Sequence, residues 1–390
     1  MHYAGKRTFS AVPLEEERDG LEAEPPVLCP KRIKQGAQVA ALTEEIAKAS
    51  SFAEVLCDKC LELDLPGILQ EAYNKPYYSR KSEYRPRASN EATCPLCRMF
   101  VAINPMPAHA AQSESIGDQE TKFSMTAAAY IGQTGLEKPS RLRAETEVMC
   151  LLLDPGNFGG NGFRANGGPV LLRDTERPTL FSPQIVPQQF DPDTAKSWLA
   201  YCTEQHRLLC ETKLESVHGL QVIDCTTLSI ESGGPGLAYV ALSYVWARSG
   251  GHCGSIREES GRKWLPEKLS AVVRDSIEVT KALGYRYLWI DKFCIDQNDA
   301  ATKHDQIQQM DAIYQNSALT IISAAGLDET YGLPVVSGTA RRRQLVIRAE
   351  GVTVLQALKD PQHSIASSCW STRGWTFQEA LLSRRRLVFH

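Results

Sequence analysis

The sequence Tyr239-Val240-Ala241-Leu242-Ser243-Tyr244 is a short apolar run without a charge, which predicts a strand buried on both faces of a sheet. Outward from it, the apolar spacing alternates between that of helices and that of strands. Helices are predicted over residues 265–283 and 303–316, and strands over residues 287–291 and 319–323. Strands that alternate with helices build parallel sheets covered on both faces, so we predict an α/β protein with a doubly wound, mostly parallel, flavodoxin-like sheet.

The pattern continues to the end of the chain. An excursion containing glycine and arginine covers about residues 326–367, and a helix at 375–382 and a strand at 386–389 follow it. Gly284 comes directly after the first long helix, where a glycine ends helices by adopting a left-handed conformation. The predicted α/β domain therefore extends over residues 226–390.

A smaller, cysteine-containing N-terminal region is predicted to precede the α/β domain. By composition, the residues before 226 divide into three segments. Residues 1–40 are rich in Glu, Pro, Lys and Arg, which predicts a disordered tail. Residues 41–110 are predicted to be a helical region with two Cys-x-x-Cys pairs, and residues 111–225 a connecting region of strands and helices. Specific predictions in this part are a linker at 104–122, strands at 148–153 and 170–172, and a helix at 192–212.

Composition and charge exclude several classes of protein. The chain has 390 residues, 43% of them hydrophobic, and a formal net charge of -3. This charge favours neither nucleic acid nor a membrane surface as a partner, and no apolar run reaches the roughly 18 residues of a membrane span. The first residues lack the apolar stretch of a secretory signal, so we expect an intracellular, cytoplasmic protein whose twelve cysteines are reduced.

Four blocks of the α/β region resemble the fungal heterokaryon incompatibility (HET) domain, in order and in spacing. They are residues 239–246, 287–297, 310–318 and 373–379. The family usually has glycine where this chain has Ala247. The resemblance implies a role in fungal non-self recognition, a form of innate immunity in which the domain triggers growth arrest or cell death. It also implies self-association or other cell-death signalling proteins as partners.

A more distant resemblance is to TIR domains. Their first strand ends in a similar Leu-Ser-aromatic step, here Leu242-Ser243-Tyr244, and their catalytic helix carries a Trp and a Glu at the spacing of Trp375 and Glu379. Many TIR domains cleave NAD with this glutamate. The resemblance therefore implies that Glu379 is catalytic and that NAD is the substrate.

Further candidate residues follow the predicted strands, because ligands of open α/β sheets bind beyond the carboxyl ends of the strands. The candidate ligand-binding residues at or just after strand ends are Ser243, Tyr244, Trp246, Asp291 and Asp296. The TIR resemblance implies that the last helix reaches the same edge, which adds Arg373 and Trp375. Arg373 or Arg248 would hold phosphates, and an aromatic ring would stack on the ligand. A structural interpretation stays open, in which Arg373 and Glu379 form a buried ion pair, Trp375 is core and Asp291 caps a turn.

The paired cysteines Cys57, Cys60, Cys94 and Cys97 predict a structural zinc site, because two intervening residues let both thiolates face one ion. The 33 residues between the pairs exceed the usual gap, and two buried thiol pairs on helices are the alternative. Similar pairs precede many HET domains. Cys202, His206 and Cys210 lie four residues apart on one predicted helix and could also bind metal, but a packed or partly exposed histidine is the favoured interpretation.

Three functions remain open from the sequence. The first is a cell-death effector that cleaves NAD through Glu379. The second is a non-enzymatic module that only assembles with partners. The third is a zinc-stabilised regulatory protein with an inactive HET domain.

Overall fold

The computed structural model describes about two thirds of the chain. The described residues are 55–74, 79–84, 93–103, 123–129, 149–154, 170–174, 184–206, 210, 217–247, 254–341, 343–356, 358 and 361–390. The predicted tail at 1–40 and the predicted linker at 104–122 lie outside them.

Helices and strands alternate over most of the second half of the described chain. The α-helices are α1 Asp58–Leu61, α2 Leu65–Asn74, α3 Pro95–Ile103, α4 Pro192–Gln205, α5 Ala271–Ala282, α6 Asp291–Cys294, α7 Ala300–Gln308, α8 Met310–Asn316, α9 Pro361–Ala366 and α10 Thr376–Leu382. The strands are β1 Ser79–Tyr84, β2 Phe123–Ala129, β3 Met149–Asp154, β4 Val170–Asp174, β5 Gln221–Asp224, β6 Ser229–Ser232, β7 Tyr239–Ser243, β8 Arg257–Glu259, β9 Arg262–Trp264, β10 Tyr287–Trp289, β11 Leu319–Ser323, β12 Val346–Ala349, β13 Val352–Gln356 and β14 Arg386–Phe389.

An eight-stranded sheet runs in the order β14-β11-β7-β10-β5-β6-β9-β8. Its first four strands are parallel: Leu288 pairs with Val240, Ile321 with Leu242, and β14 with β11. Every residue of β7 and β11 is buried, as expected for central strands of a parallel sheet. The prediction that the strands near 239, 287 and 319 lie side by side in one direction is confirmed.

The sheet as a whole is mixed, so the prediction of a mostly parallel sheet is wrong for its other half. Strands β5, β6, β9 and β8 pair antiparallel. The reason is the length of their connections. Ser260 and Gly261, with φ of 51° and 71°, are the two residues that join β8 to β9, and so short a loop permits only an antiparallel hairpin.

Local capping fixes the ends of the helices that support the parallel strands. The Asp191 carboxylate accepts a hydrogen bond from the Asp193 N–H at 3.0 Å, which caps the start of α4. At the end of α5, Gly284 has φ of 88°, and the next N–H, that of Tyr285, donates to the Thr280 carbonyl at 3.0 Å. The predicted stop at Gly284 is therefore confirmed as a left-handed C-terminal cap.

A second, six-stranded sheet has the order β1-β2-β3-β4-β13-β12 and is antiparallel throughout. Its last two strands come from residues 346–356, inside the segment assigned by sequence to the α/β domain. Conversely, β5 precedes residue 226 and joins the eight-stranded sheet. Strand pairing between distant segments thus crosses residue 226, the predicted start of the α/β domain. In addition, β1 lies within the segment 41–110, which was predicted to be helical.

In the described part of the chain, the two largest apolar cores correspond to the two sheets. One surrounds the parallel strands, and the other, called here the cysteine core, packs α1 and α3 against β4, β12 and β13. Among the described residues, no helix is long and apolar enough to cross a bilayer.

Candidate functional site

The parallel strands bring several polar side chains to one edge of the sheet. Strands β7 and β11 end at Ser243 and Ser323, and Asp291 follows β10 by two residues. Because these strands point the same way, their carboxyl ends lie at the same edge. The helix α10 then adds Glu379 from the C-terminal part of the chain.

Glu379 is held at the end of the first parallel strand by a buried hydrogen-bond chain. The Ser243 hydroxyl donates to a Glu379 carboxylate oxygen through a short contact. The same hydroxyl oxygen accepts a hydrogen bond from Trp370 Nε1 at 2.7 Å. Glu379 and Ser243 are 2% and 1% exposed. The carboxylate therefore lies beneath the surface, with Trp370 beside it.

Burial changes the acidity of Glu379. Desolvation raises the pKa of its carboxyl above the usual value, while the hydrogen bond from Ser243 and the positive charge of Arg373 act in the opposite direction. Arg373 does not form the buried ion pair that was one interpretation of the sequence. In the described structure its guanidinium donates to the Tyr244 carbonyl and affects the carboxylate only through charge.

Asp291 is a half-buried residue of the same edge. Its carboxylate accepts hydrogen bonds from its neighbour, the Lys292 N–H, at 2.7 Å and from Trp246 Nε1 at 3.2 Å. Lys292 Nζ lies 5.9 Å from the centre of the Trp246 ring and pairs with the fully buried Glu329 at 3.0 Å. The lysine thus connects the rim of the site to a carboxylate in the interior.

The charge of Glu379 also affects Asp291. Desolvation and, next, the negative charge of Glu379 raise the pKa of Asp291 to about 7, although the Lys292 N–H and the charge of Arg373 act in the opposite direction. The pKa of the Tyr314 phenol is also raised, by burial and then by these two carboxylates. Ser243, Trp246, Asp291, Arg373 and Glu379 are called here the carboxylate cluster. A carboxyl that titrates near neutrality can exchange protons at physiological pH.

The remaining predicted residues take different places. Tyr244 is 2% exposed, and its backbone carbonyl accepts a hydrogen bond from Arg373. Trp375 is 50% exposed and directly precedes α10. Asp296 is not part of the cluster: it pairs with Lys263 of β9 at 3.3 Å, toward the antiparallel half of the sheet. Arg248 lies outside the described residues.

Asp291→Asn is expected to stabilise the protein at alkaline pH. The folded-state pKa of about 7 lies above the unfolded value of about 3.9, so folding retains a proton that the unfolded chain releases as the pH rises. Wild-type stability should therefore decrease between about pH 4 and pH 7. Asparagine keeps the accepting oxygen without the charge, and the gain above pH 7 should be on the order of 2 kcal/mol. Urea unfolding at pH 4.5, 6 and 8 measures it.

Asp296→Asn is the control, and its expected effect on stability at alkaline pH is the opposite of that of Asp291→Asn. The Asn298 N–H and Lys263 lower the pKa of Asp296, so its contribution to stability is present at neutral pH and disappears as the pH falls through its folded-state pKa. The asparagine variant should be less stable than wild type at pH 8 and equal to it at acid pH. A gain for Asp291→Asn that is the same at every pH would contradict the assigned titration.

The four paired cysteines meet in the cysteine core. The Sγ atoms of Cys57 and Cys60 lie 3.7 and 3.5 Å from that of Cys97, and Cys94 and Cys60 are 3.5 Å apart. All four sulfurs are within 4.8 Å of one another. Tetrahedral zinc–thiolate sites, with bonds of about 2.3 Å, have sulfur–sulfur edges of about 3.8 Å. Hydrogen bonds from Cys60 and Cys97 lower the pKa of Cys94. The residues present therefore fit a tetrahedral metal ion.

Sequence reasoning missed three residues in or next to the surroundings of the carboxylate cluster. Trp370 and Glu329 lie in or near the excursion before the last helix, where no periodicity pointed to them. Tyr314 was predicted only as an inward-facing core residue of its helix. Its hydroxyl donates to the Leu242 carbonyl at 3.4 Å, and no local pattern would have placed it beside two carboxylates.

A known protein family matches the part of the chain that contains the carboxylate cluster. The model of the family described as "Heterokaryon incompatibility protein (HET)" matches residues 239–379. The chain is also similar to "Heterokaryon incompatibility protein 6, OR allele" of Neurospora crassa, with 33% identity over 97 residues. That alignment covers 23% of this chain and 14% of the relative. No solved structure matches the chain significantly.

Proposed function

Since this chain contains a HET domain, spanning residues 239–379, we propose that it acts in fungal non-self recognition as a cell-death effector. The name of the Neurospora crassa relative supports the biological process. We also propose that the carboxylate cluster is the ligand site of this domain and that NAD is its substrate. The partners in this proposal are other copies of the chain or other cell-death signalling proteins.

The position of the cluster in the sheet is the observation that carries the proposal. Numbered along the chain, the parallel strands lie in the order 2-1-3-4, which is the order of flavodoxin-like sheets and of the TIR-like fold proposed here. Such sheets bind ligands at the carboxyl edge between strands 1 and 3, where the winding reverses. Ser243 ends strand 1, and Trp370 packs with Ile322 and Ala324 at the end of strand 3. The bonds from Trp370 to Ser243 and from Ser243 to Glu379 therefore lie at this crevice.

The chemistry of NAD cleavage suits two neighbouring carboxylates. The bond between ribose C1′ and the nicotinamide nitrogen breaks, and its electron pair neutralises the cationic ring. A carboxylate near C1′ stabilises the oxocarbenium-like centre, and Glu379 has this role in the proposal. Water adds to C1′ and loses a proton, which Asp291, with a pKa of about 7, can accept.

Other residues of the edge supply binding. Arg373 carries a positive charge that acts on both carboxylates and suits a phosphate. Trp246 and Trp375, 37% and 50% exposed, offer rings for stacking. Because Glu379 is only 2% exposed, the substrate must displace its cover to reach the carboxylate.

That burial also favours a second candidate function, a HET domain that assembles with partners without catalysis. In this case the hydrogen bond between Ser243 and Glu379 fixes α10 against β7 and has no chemical role. A third candidate is a zinc-stabilised regulator with an inactive HET domain, supported by Ala247, where the family usually has glycine.

For the cysteine core we propose a structural zinc ion bound by Cys57, Cys60, Cys94 and Cys97. Their sulfur–sulfur distances support it. Four thiolate ligands leave no position for substrate, so this ion would stabilise the fold only.

Glu379→Gln tests the catalytic proposal. Glutamine keeps an acceptor for the Ser243 hydroxyl but removes the charge, so NAD loss by the purified, concentrated full chain should fall by about 100-fold or more. Thermal melting of the variant should stay near that of wild type. The matched control is Glu278→Gln on the exposed face of α5, which should leave the rate unchanged.

The outcomes separate the candidates. Equal NAD loss in wild type and Glu379→Gln ends the catalytic assignment. Growth arrest on expression that persists in Glu379→Gln supports assembly without catalysis. Expression of wild type without any growth defect supports the inactive regulator.

A further inference from the structure

Three side chains of types that bind metals lie close together outside the carboxylate cluster and the cysteine core. Cys202 and His206 lie at the end of α4, and the His206 N–H donates to the Cys202 carbonyl at 3.0 Å. The Cys210 N–H donates to the His206 carbonyl at 2.8 Å, which holds Cys210 close to His206. The two Sγ atoms and a ring nitrogen of His206 all lie within 4.8 Å of one another.

The short distances among these atoms favour zinc over the packed or partly exposed histidine without a metal that the sequence favoured. His206 is exposed, and its ring meets Tyr201 edge-on at 5.5 Å, so it does not fill a core. Both cysteines are half-buried thiols. Zinc bonds of about 2.0–2.3 Å place ligand atoms about 3.3–3.8 Å apart, and rotation of an exposed imidazole can close the remaining separation.

A cavity beside Cys202 provides a second, independent observation. Its volume is about 250 Å³, and Trp198, Cys202, Leu387 and three consecutive arginines at 384–386 are among the residues that line it. The Nη2 atom of Arg385 donates to Thr203 Oγ1 at 3.1 Å. Its Nε atom is buried and has no hydrogen-bond partner among the described residues.

The cavity lies at the opposite edge of the sheet from Glu379. Leu319 and Arg386, which line it, are the first residues of β11 and β14, so it opens at the amino ends of the parallel strands. It therefore belongs to neither the carboxylate cluster nor the cysteine core.

We propose that Cys202, His206 and Cys210 bind a zinc ion whose fourth coordination position faces this cavity and takes an anionic ligand. Three protein ligands leave one position open, in contrast to the closed site of four cysteines. Arginine guanidinium groups beside an open zinc position suit a carboxylate or a phosphate group. The ion would also fix the end of α4 next to the segment that leads into β14.

Zinc content of the purified, dialysed full chain tests the metal. Wild type should contain about two zinc ions per chain, and His206→Asn and Cys202→Ser should each contain about one. The matched control is His304→Asn, an exposed histidine on α7, which should keep both ions. Since His206 is exposed, its variant should fold, and circular dichroism checks this.

The open position is tested by replacing zinc with cobalt and adding acetate as the simplest carboxylate. The visible cobalt spectrum should change on addition of acetate, and Arg385→Gln should weaken that response at least fivefold. A zinc content that is the same in wild type and His206→Asn overturns the metal site. If acetate does not change the cobalt spectrum of wild type, the proposal of an open coordination position is overturned.

Discussion

Replacing Cys94 by serine is expected to release one zinc ion and unfold the cysteine core. Cys94 is 2% exposed at the start of α3, and Leu96, Met99 and Phe100 of that helix are completely buried behind it. These side chains share a core with β4, β12 and β13 that is small compared with the core of the parallel strands. Small domains depend strongly on bound metal.

The expected cost is large because metal binding and folding are coupled. Loss of one thiolate should destabilise the N-terminal region by on the order of 5 kcal/mol or more. A chelator added to wild type should have the same effect. Zinc analysis and thermal melting of the full chain measure both results.

Cys225→Ser is the matched control for this experiment. Cys225 is also 2% exposed but lies in the core of the eight-stranded sheet, away from the four paired cysteines. The serine variant should keep the metal. Its free energy of unfolding should fall by about 1–3 kcal/mol, the penalty for a poorly satisfied hydroxyl. If both serine variants keep the same zinc content and melt at the same temperature, the cysteines are buried thiols without a structural ion.

Lys292→Met is expected to produce the second large effect, a loss of about 3–5 kcal/mol. Lys292 is 22% exposed and lies 3.0 and 3.2 Å from the two carboxylate oxygens of Glu329, which is 0% exposed. Methionine has a similar length but leaves this carboxylate buried without its cation. Urea unfolding at pH 7 measures the loss.

Two further variants identify the cause. The double variant Lys292→Met/Glu329→Gln removes the unpaired charge and should recover most of the stability. Lys263→Met breaks the more exposed pair with Asp296, whose side chains are 43% and 34% exposed, and should cost less than about 1 kcal/mol. Similar losses in Lys263→Met and Lys292→Met would show that burial of Glu329 is not responsible.

The Lys292 pair also bears on the proposed ligand site. Lys292 Nζ lies 5.9 Å from the Trp246 ring, and Trp246 donates to Asp291. Removing the ammonium therefore loosens the exposed rim of the carboxylate cluster as well as the interior. This couples the predicted loss of stability to the site where we place NAD.

Local patterns in the sequence were sufficient for the strands and helices of the parallel half. Strands β7 and β11 are continuous apolar runs. Such runs are recognisable in a sequence because both faces of a central strand are buried. The end of α5 was equally predictable, because a left-handed cap requires a residue such as Gly284. The Cys-x-x-Cys pairs indicated a metal site for the same reason: the spacing itself brings two sulfurs together.

Contacts between distant segments were not predictable in this way. The hairpin of β12 and β13 pairs with β4, about 180 residues away in sequence, because antiparallel pairing depends on backbone hydrogen bonds that any suitable strand can supply. Asp296 follows the same strand as Asp291 but pairs with Lys263, not with the carboxylate cluster. No local pattern in the sequence indicates this partner.

The sequence by itself determined the strands and helices of the parallel half and that these strands lie side by side in one direction. These properties follow from periodicity, which acts over a few residues, whereas the position of Glu379 beside β7 was implied only by the resemblance to TIR domains. Only the tertiary structure decided that Glu379 is buried behind Trp370, that Lys292 neutralises Glu329, and that Cys202 borders an arginine-lined cavity. Burial and charge pairing depend on which distant side chains fill the space around a group, and that space exists only after the chain has folded.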